Sequence, residues 1–488
     1  MESHETGKRP SLAWALLTLF LPIAVFMYGF LILKIRPPLL PLVMAVTLAA
    51  LLCLRNGYNW EELQKGMFTG ISRVHIALAI LALTGAIIGA WIATGTIPAI
   101  IYWGVKLISP NIFLVSALFL CIFTSMATGT SLGTVGTMGV AVMAIGQAFS
   151  FPPHITAGAI ISGAWFGDKM SPVSDSSNVC AAVCEVPLFS LIFAMFWSTV
   201  PALAFSAVAF YFIGLPYAGQ APEPETLTAL LTALDANFNV GLISFIPPVI
   251  LIVLAYKRFP VLPVLMTSLV ASGLIGIYNG VNLEALLKFM STGYVAKTGL
   301  ASLDSILSRG GVLSMSSTIM LIMLCMCFGG MLERARVFEV ILDPLTRNTK
   351  SALRLVACTV ASAYVILMGT GSASLAQVVT GRAFMPAFVR AGIHPVVLSR
   401  SVEDSATVGT IFVPWSVHAL FLGAVLGVST FDYAPYAIFN WSVVAFTLFC
   451  AATGIGVWKL NGEPMNKILA YHGMESRENL RGMENAAA

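Results

Sequence analysis

The sequence predicts an all-α protein that crosses a membrane many times and is built from two repeated halves. Three observations support this prediction. Of its 488 residues, 58% are hydrophobic and only 10% are charged, far from the roughly 25% charged residues of soluble domains. Apolar segments long enough to cross a bilayer recur along the chain. Polar clusters interrupt such segments at corresponding places in both halves, so we expect inverted halves with re-entrant hairpins and discontinuous transmembrane helices.

Charge and motif content exclude several classes of function. The formal charge is only +4, and the basic residues lie in short connections, as in cytoplasmic loops rather than nucleic-acid surfaces. The eight cysteines have no metal-ligand or disulfide spacing, so we expect buried thiols. No GxxxxGK[ST] segment occurs, and no nucleophile and base recur at a recognisable spacing. We therefore expect neither an enzyme nor a bound cofactor.

Residues 1–70 are predicted to form a polar tail and two transmembrane helices. The first apolar run, Leu12 to Leu33, is too long for the core of a signal peptide. Lys34, Arg36 and the following Pro37-Pro38 end it, and Leu39 to Leu54 forms the second.

The first half is predicted over 71–214. A long apolar run from Ile71 to Ile108 is broken at Gly95 to Pro98, which leaves a second piece too short to cross upright. Glycines and threonines alternate from Gly129 to Phe149 and stabilise helices poorly, so we expect a re-entrant hairpin there. The alternative is a continuous packing helix rich in small residues.

The most unusual segment of the chain runs from Pro152 to Val183. After an apolar stretch it places polar residues in close succession around Pro172, at Asp168, Lys169, Ser171, Ser174, Asp175, Ser176, Ser177 and Asn178. Such groups at membrane depth are tolerated only against protein or a water-filled cavity, and they mark ion or substrate paths. We expect Pro172 to break the helix.

A linker over 215–311 separates the halves. It contains an amphipathic segment near Thr226 to Phe238 and two spans, Val240 to Tyr256 and Val261 to Tyr278. A basic turn from Lys257 to Pro260, which includes Arg258, joins the spans.

The second half, 312–458, repeats the order of features in the first, and a polar tail follows over 459–488. At an offset of 240 residues, four identities align: Gly89 with Gly329, Gly129 with Gly369, Thr130 with Thr370, and His154 with His394. Glu403 and Asp404 precede Pro414 as Asp168 precedes Pro172. Paired interrupted segments of this kind are typical of secondary transporters with a binding site between the repeats.

Several motifs resemble the NhaC family of sodium/proton antiporters. They are GTIP at 95, GTSLGT at 129, FGDKMSPVSDSSN at 166, FNV at 238, SRGG at 308 and EDSATVGTIFVPW at 403. The resemblance extends from about Leu12 to Trp458. It implies exchange of Na+ for H+ by alternating access in the cytoplasmic (inner) membrane of a prokaryote. The same family includes exchangers that couple both ions to malate and lactate, which implies an organic-anion site in such members.

The residues themselves fit cation exchange. Na+ is a hard cation that prefers oxygen ligands, and the predicted ligands are Asp175, Ser171, Ser174, Ser176 and Asn178. The predicted proton and ion-coupling residues are Asp168, Asp175, Glu403 and Asp404. Burial disfavours a charged carboxylate whereas bound Na+ favours it, so proton and cation compete. Two structural alternatives remain: Asp168 caps a helix end, or Arg400 pairs with Glu403 or Asp404 on one helical face.

Hydroxyl-rich stretches in both halves are the predicted substrate-binding residues: Thr130, Ser131, Thr370, Ser372, Ser405 and Thr407. Their backbone N–H groups suit an organic carboxylate, and their oxygens suit Na+. A Na+/H+ antiporter is the main prediction, and a Na+/H+-coupled exchanger of organic anions or another small metabolite is the alternative. The expected partners are Na+, H+ and lipid, with an organic anion and a homodimer kept open.

Overall fold

The computed structural model describes residues 9–35, 37–219, 224–257, 259–346, 351–463 and 465. The polar N-terminus up to residue 8, Arg36, Arg258 of the basic turn and most of the C-terminal tail lie outside the described residues. Within the described ranges the fold is helical.

Among the described residues, three α-helices precede the first half, and eight α-helices form it. The preceding helices are α1 (Leu12–Met27), α2 (Leu39–Arg55) and α3 (Trp60–Ser72). The first half contains α4 (His75–Ala93), α5 (Thr96–Leu107), α6 (Phe113–Thr128), α7 (Ser131–Thr134), α8 (Val140–Ala148), α9 (Pro153–Met170), α10 (Asp175–Val183) and α11 (Leu188–Ala218).

In the described parts of the chain, five α-helices form the linker, and eight α-helices form the second half. The linker contains α12 (Pro224–Asn237), α13 (Ile246–Tyr256), α14 (Val261–Tyr278), α15 (Leu283–Thr292) and α16 (Ala301–Leu307). The second half contains α17 (Ser316–Arg334), α18 (Val337–Thr346), α19 (Ala352–Thr370), α20 (Ala373–Arg390), α21 (Pro395–Val402), α22 (Val417–Leu426), α23 (Thr430–Tyr433) and α24 (Ile438–Thr453).

The lengths of these helices confirm a multi-pass membrane protein. Among the described residues, eight helical segments are long and apolar enough to cross a bilayer, and the number rises to 11 if each bent pair of helices counts as one span. One bent pair, Pro395–Phe412 with Val417–Leu426, turns by 47° at the break before α22. Discontinuous helices are therefore present.

The predicted re-entrant hairpin over 129–149 is wrong. Helices α7 and α8 join through a π-helical turn, Val135–Gly139, into one helical segment from Ser131 to Ala148. Most of this segment is buried, and a Cβ at Gly136 or Gly146 would approach Thr84 or Thr156 within 3.0 Å. The glycines allow close packing, which in lipid outweighs their poor intrinsic helix propensity.

Around the breaks the two halves repeat with an offset of 242 residues, which is the separation of Pro172 from Pro414, and not the 240 of the four aligned identities. Gly129 ends α6 with φ +66°, and Gly371, 242 residues later, ends α19 with φ +64°. Pro153 begins α9 and Pro395 begins α21 with the same separation. The four sequence identities indicated a register that is two residues too short. Equivalent positions are instead defined by the glycines with positive φ and by the first residues of the helices.

Helix α9 lies at the centre of the first half because small residues let it approach α6 closely. A Cβ at Gly163 would come within 2.3 Å of the Leu118 carbonyl oxygen, and one at Gly167 within 2.6 Å of that of Ile122. The Ser125 hydroxyl donates to the Ala164 carbonyl at 2.6 Å. These contacts fix the helix whose last turn contains Asp168.

Candidate functional site

The two polar segments interrupt helices, and each interruption contains a proline, Pro172 in the first half and Pro414 in the second. Helix α9 ends at Met170, and α10 begins after Ser174, so the predicted break at Pro172 is confirmed. In the second half, α21 continues into a π-helical turn, Glu403–Thr407. The helical structure is then interrupted at Val413 to Ser416, before α22 begins. Single π-helical turns within helices occur frequently at functional sites.

Hydroxyl groups connect a carboxylate of the first half to one of the second. The Ser174 hydroxyl donates to Asp168 Oδ1 at 2.6 Å and lies 3.1 Å from the Ser176 hydroxyl, which donates to Glu403 Oε1 at 2.9 Å. We call Ser174 and Ser176 the hydroxyl bridge. Asp168 is 7% exposed and Glu403 is fully buried. Each hydroxyl donates its one hydrogen to a carboxylate, and the two hydroxyls lie side by side, which brings the two carboxylates together across the interface between the halves.

Gln377 of α20 closes the other side of Glu403. Its Nε2 donates to Glu403 Oε2 at 2.8 Å and to the Thr407 hydroxyl at 2.6 Å, and it lies 3.3 Å from the Ser176 carbonyl oxygen. Sequence reasoning did not identify this glutamine, because an isolated amide in an apolar helix has no neighbouring polar pattern to mark it.

The side chain of Asp404 contacts different residues from those around its neighbour Glu403. It forms an ion pair with Lys169 of α9, and both side chains are fully buried. Ser198 of α11 donates to Asp404 Oδ2 at 2.7 Å, and Thr447 of α24 also donates to it. The adjacent carboxylates therefore face different partners, as the 100° step between neighbouring helix positions requires.

The structural alternative, an ion pair between Arg400 and Glu403 or Asp404, is not formed among the described residues. Arg400 Nη1 donates to the carbonyl oxygens of Gly456 at 2.8 Å and Ala194 at 3.4 Å. Lys169 takes the place that Arg400 was expected to occupy beside Asp404. Because Lys169 is 235 residues away in the chain, local helical spacing gave no indication of this contact.

A cavity of about 640 Å³ opens beside the hydroxyl bridge. Its polar lining comes from both halves: Arg73, Thr128, Thr130, Ser131, Asp168, Asp175, Ser176, Ser372, Ser374, Gln377, Thr407 and His418. Thr130 and Ser372 are the N-caps of α7 and α20, so two helix N-termini point toward this cavity region. We call it the site cavity.

Several predicted residues line the site cavity, and others do not. Asp175 lies at the start of α10 with an exposed side chain, whereas Asp168, Ser131, Ser372 and Thr407 are buried in the lining.

Four predicted residues instead bond to nearby backbone, outside the lining. Ser171 donates to the Met126 carbonyl, Asn178 to those of Pro172 and Ser174, Thr370 to that of Ile366, and Ser405 to that of Ser401.

The chain is similar to known antiporters over almost its full length. The model of the Na+/H+ antiporter family matches residues 23–182 and 163–455. The Na+/H+ antiporter NhaC of Alkalihalophilus pseudofirmus is 34% identical over 93% of this chain and 98% of that protein.

Two further relatives are antiporters of organic substrates. The malate-2H+/Na+-lactate antiporter of Bacillus subtilis is 32% identical over 84% of this chain and 88% of that protein. The arginine/ornithine antiporter ArcD of Halobacterium salinarum is 28% identical over 89% of this chain and 90% of that protein. With the family model matching both halves, the chain belongs to the Na+/H+ antiporter family and resembles its NhaC members as the motifs predicted.

Proposed function

We propose that this protein exchanges Na+ for H+ across the bacterial cell membrane by alternating access. The observation that supports this most directly is the buried pair Asp168 and Glu403, joined by the hydroxyl bridge at the interface of the two halves. A carboxylate beside hydroxyl and amide groups offers the oxygen ligands that Na+ prefers. Asp168 also lines the site cavity, which gives ions access.

Competition between the two ions supplies the coupling. Withdrawal from water disfavours a charged carboxylate, so an empty site holds a proton, whereas bound Na+ stabilises the charged form. The site therefore contains either Na+ or H+. If only a loaded site passes between the two open states, each gradient drives the other ion without covalent chemistry.

Asp404 has a different role in this proposal. Its pairing with Lys169 neutralises its charge inside the protein, and Ser198 and Thr447 occupy its second oxygen. We propose that Asp404 connects α9 to the second half through Lys169. It thereby positions Glu403, which lies on the same π-helical turn. Asp168 and Glu403 remain as the exchanging carboxylates.

The repeated breaks support two halves of inverted topology that move against each other around the site, with 71–214 and 312–458 as the repeats. Labelling of single cysteines introduced beside α5 and α18 from each side of the membrane tests this arrangement. Inverted halves place the two labels on opposite sides, and labels on the same side contradict inversion.

Exchange is tested with purified protein in liposomes that contain a pH-sensitive dye. An outward Na+ gradient is expected to draw protons into the lumen in exchange for Na+ and to acidify it, and the choline salt is expected to have no effect. Glu284→Gln, at an exposed position of α15, serves as the control for general loss of a carboxylate. Absence of Na+-driven proton movement in the wild type would refute the proposal.

An organic anion is the second candidate substrate, and the site cavity is the observation that favours it. A volume of about 640 Å³ exceeds the need of a bare cation, and it falls within the size range of small-molecule sites. The N-termini of α7 and α20 offer positive charge to a carboxylate, whereas Arg73 in the lining is already paired with Glu333. Counterflow with malate, lactate and arginine separates the candidates: uptake of one of them under a Na+ gradient supports co-substrate transport, and no uptake restricts exchange to ions.

A further inference from the structure

We propose that Gln377 binds the transported Na+ through its side-chain oxygen Oε1 and thereby links the cation to Glu403. This inference rests on the proposed function, because it assigns a new ligand to the same ion. No sequence pattern marks this residue, and the geometry around its amide is what supports the assignment.

The orientation of the Gln377 amide is fixed by its partners. Nε2 lies 2.8 Å from a Glu403 carboxylate oxygen and 3.3 Å from the Ser176 carbonyl oxygen. A backbone carbonyl can only accept hydrogen bonds, so the NH2 group, and not the amide oxygen, faces the Ser176 carbonyl. The amide oxygen Oε1 therefore points away from Glu403.

Oε1 is a buried acceptor that lacks a donor. Gln377 is 1% exposed, and among the described residues Oε1 has no hydrogen-bond partner. Leaving a buried acceptor unpaired costs free energy, so such atoms call for an explanation. Gln377 also lines the site cavity together with Asp168 and Ser176. An amide oxygen that lacks a donor beside a carboxylate and a hydroxyl is a suitable ligand for a hard cation.

A comparison on the same helix separates this role from simple packing. Thr380, about one turn further along α20, is also fully buried, and its hydroxyl also has no partner within the described part of the chain. Thr380 is not part of the lining of the site cavity. Of these two described residues, Gln377 alone combines an unpaired oxygen with a place in the lining of the site cavity, so Thr380 provides a matched control.

The assignment links cation binding to the protonation of Glu403. Na+ at Oε1 draws electron density from the amide and strengthens the hydrogen bond that Nε2 donates to Glu403, because hydrogen-bonded groups polarise one another. This favours the charged form of Glu403 and release of its proton. Gln377 thus transmits the presence of Na+ to a carboxylate that the ion need not contact.

The test measures equilibrium binding of radioactive Na+ to the purified full-length protein at high pH, where the carboxylates are charged. Gln377→Met preserves the length of the side chain but removes both polar atoms. We expect its Kd for Na+ to rise at least about tenfold, the effect of losing one neutral ligand. Thr380→Val is expected to bind Na+ with a Kd within about twofold of that of the wild type. This substitution changes only the packing of α20, because Thr380 does not line the site cavity.

A stability measurement and a second variant distinguish loss of folding from loss of Na+ binding. Thermal stability without and with Na+ shows whether each variant is folded and whether Na+ still stabilises it. If Gln377→Met does not fold, Gln377→Asn withdraws the oxygen by about one C–C bond, about 1.5 Å, and is expected to weaken Na+ binding similarly.

A folded Gln377 variant with the Kd of the wild type overturns the assignment, whereas wild-type exchange in the same preparation leaves the proposed function standing. Loss of exchange in the wild type itself would refute the proposed function instead.

Discussion

At the scale of single residues, the site depends on which carboxylates are buried and what they contact. Asp168 and Glu403 share the hydroxyl bridge, whereas Asp175 is exposed at the edge of the site cavity. Sequence reasoning selected all three because acidic residues at membrane depth are rare. It placed Asp175 or Asp168 first and Glu403 or Asp404 second. The exposure of Asp175 was not predictable, since it depends on how α10 turns after the break.

Neutralising either buried carboxylate should remove exchange. We expect Asp168→Asn and Glu403→Gln each to lower Na+-driven proton movement at least about 100-fold, equivalent to about 2.8 kcal/mol, because a charged partner of the cation is lost. Dye-based exchange in liposomes measures the effect, with Glu284→Gln as the control. Near-normal exchange in both folded variants would contradict the assignment.

Asp175 should act mainly through long-range attraction of cations. We expect Asp175→Asn to weaken the apparent affinity for Na+ about threefold or less, and the difference should shrink at high ionic strength, because exposed charges are screened. Exchange is measured at low and high choline chloride. Complete loss of exchange at both would instead make Asp175 the exchanging carboxylate.

At the scale of helices, two devices position the site. Buried Lys169 and Asp404 join α9 to the π-helical turn of the second half, and small residues bring α9 against α6. The breaks near Gly95, Pro172 and Pro414 were predictable, because proline and glycine interrupt helices for local reasons. The partners Lys169 and Gln377 were not, because their contacts join segments far apart in the chain.

Breaking the ion pair on one side should destabilise the protein. Lys169→Met removes the buried cationic partner of Asp404, which costs about 3–5 kcal/mol. The double variant Lys169→Met with Asp404→Asn should recover much of the lost thermal stability, because no isolated charge remains. Thermal unfolding in detergent followed by tryptophan fluorescence measures both. A single variant as stable as the wild type would show that the pair is not formed.

The contact between α9 and α6 should tolerate no added side chain. Gly163→Val is expected to destabilise the protein by about 1–3 kcal/mol through overpacking, since its Cβ would meet the Leu118 carbonyl oxygen at 2.3 Å. Gly214→Ala in α11 is the control, because its Cβ would find its nearest atom at 3.5 Å. Equal thermal stability of the two variants would be inconsistent with close packing of α9.

At the scale of the whole molecule, the two halves meet at the site, and we propose that each supplies one exchanging carboxylate. The membrane class, the repeat and the family were predictable, because composition and paired interruptions depend only on the chain. The expected hairpin at 129–149 was wrong, since its glycines serve close helix packing. The register of the repeat follows from the backbone conformation at Gly129 and Gly371, and identical residues in the sequence do not reveal that conformation.

The central claim is that Na+ and H+ compete for one set of buried carboxylates. Titration calorimetry of Na+ into the purified protein over a range of pH, in buffers of different ionisation enthalpy, measures both the Kd and the protons released. The account predicts proton release on Na+ binding and a Kd that rises toward about tenfold for each unit of falling pH per competing proton. A Kd independent of pH, with no protons released, would contradict it.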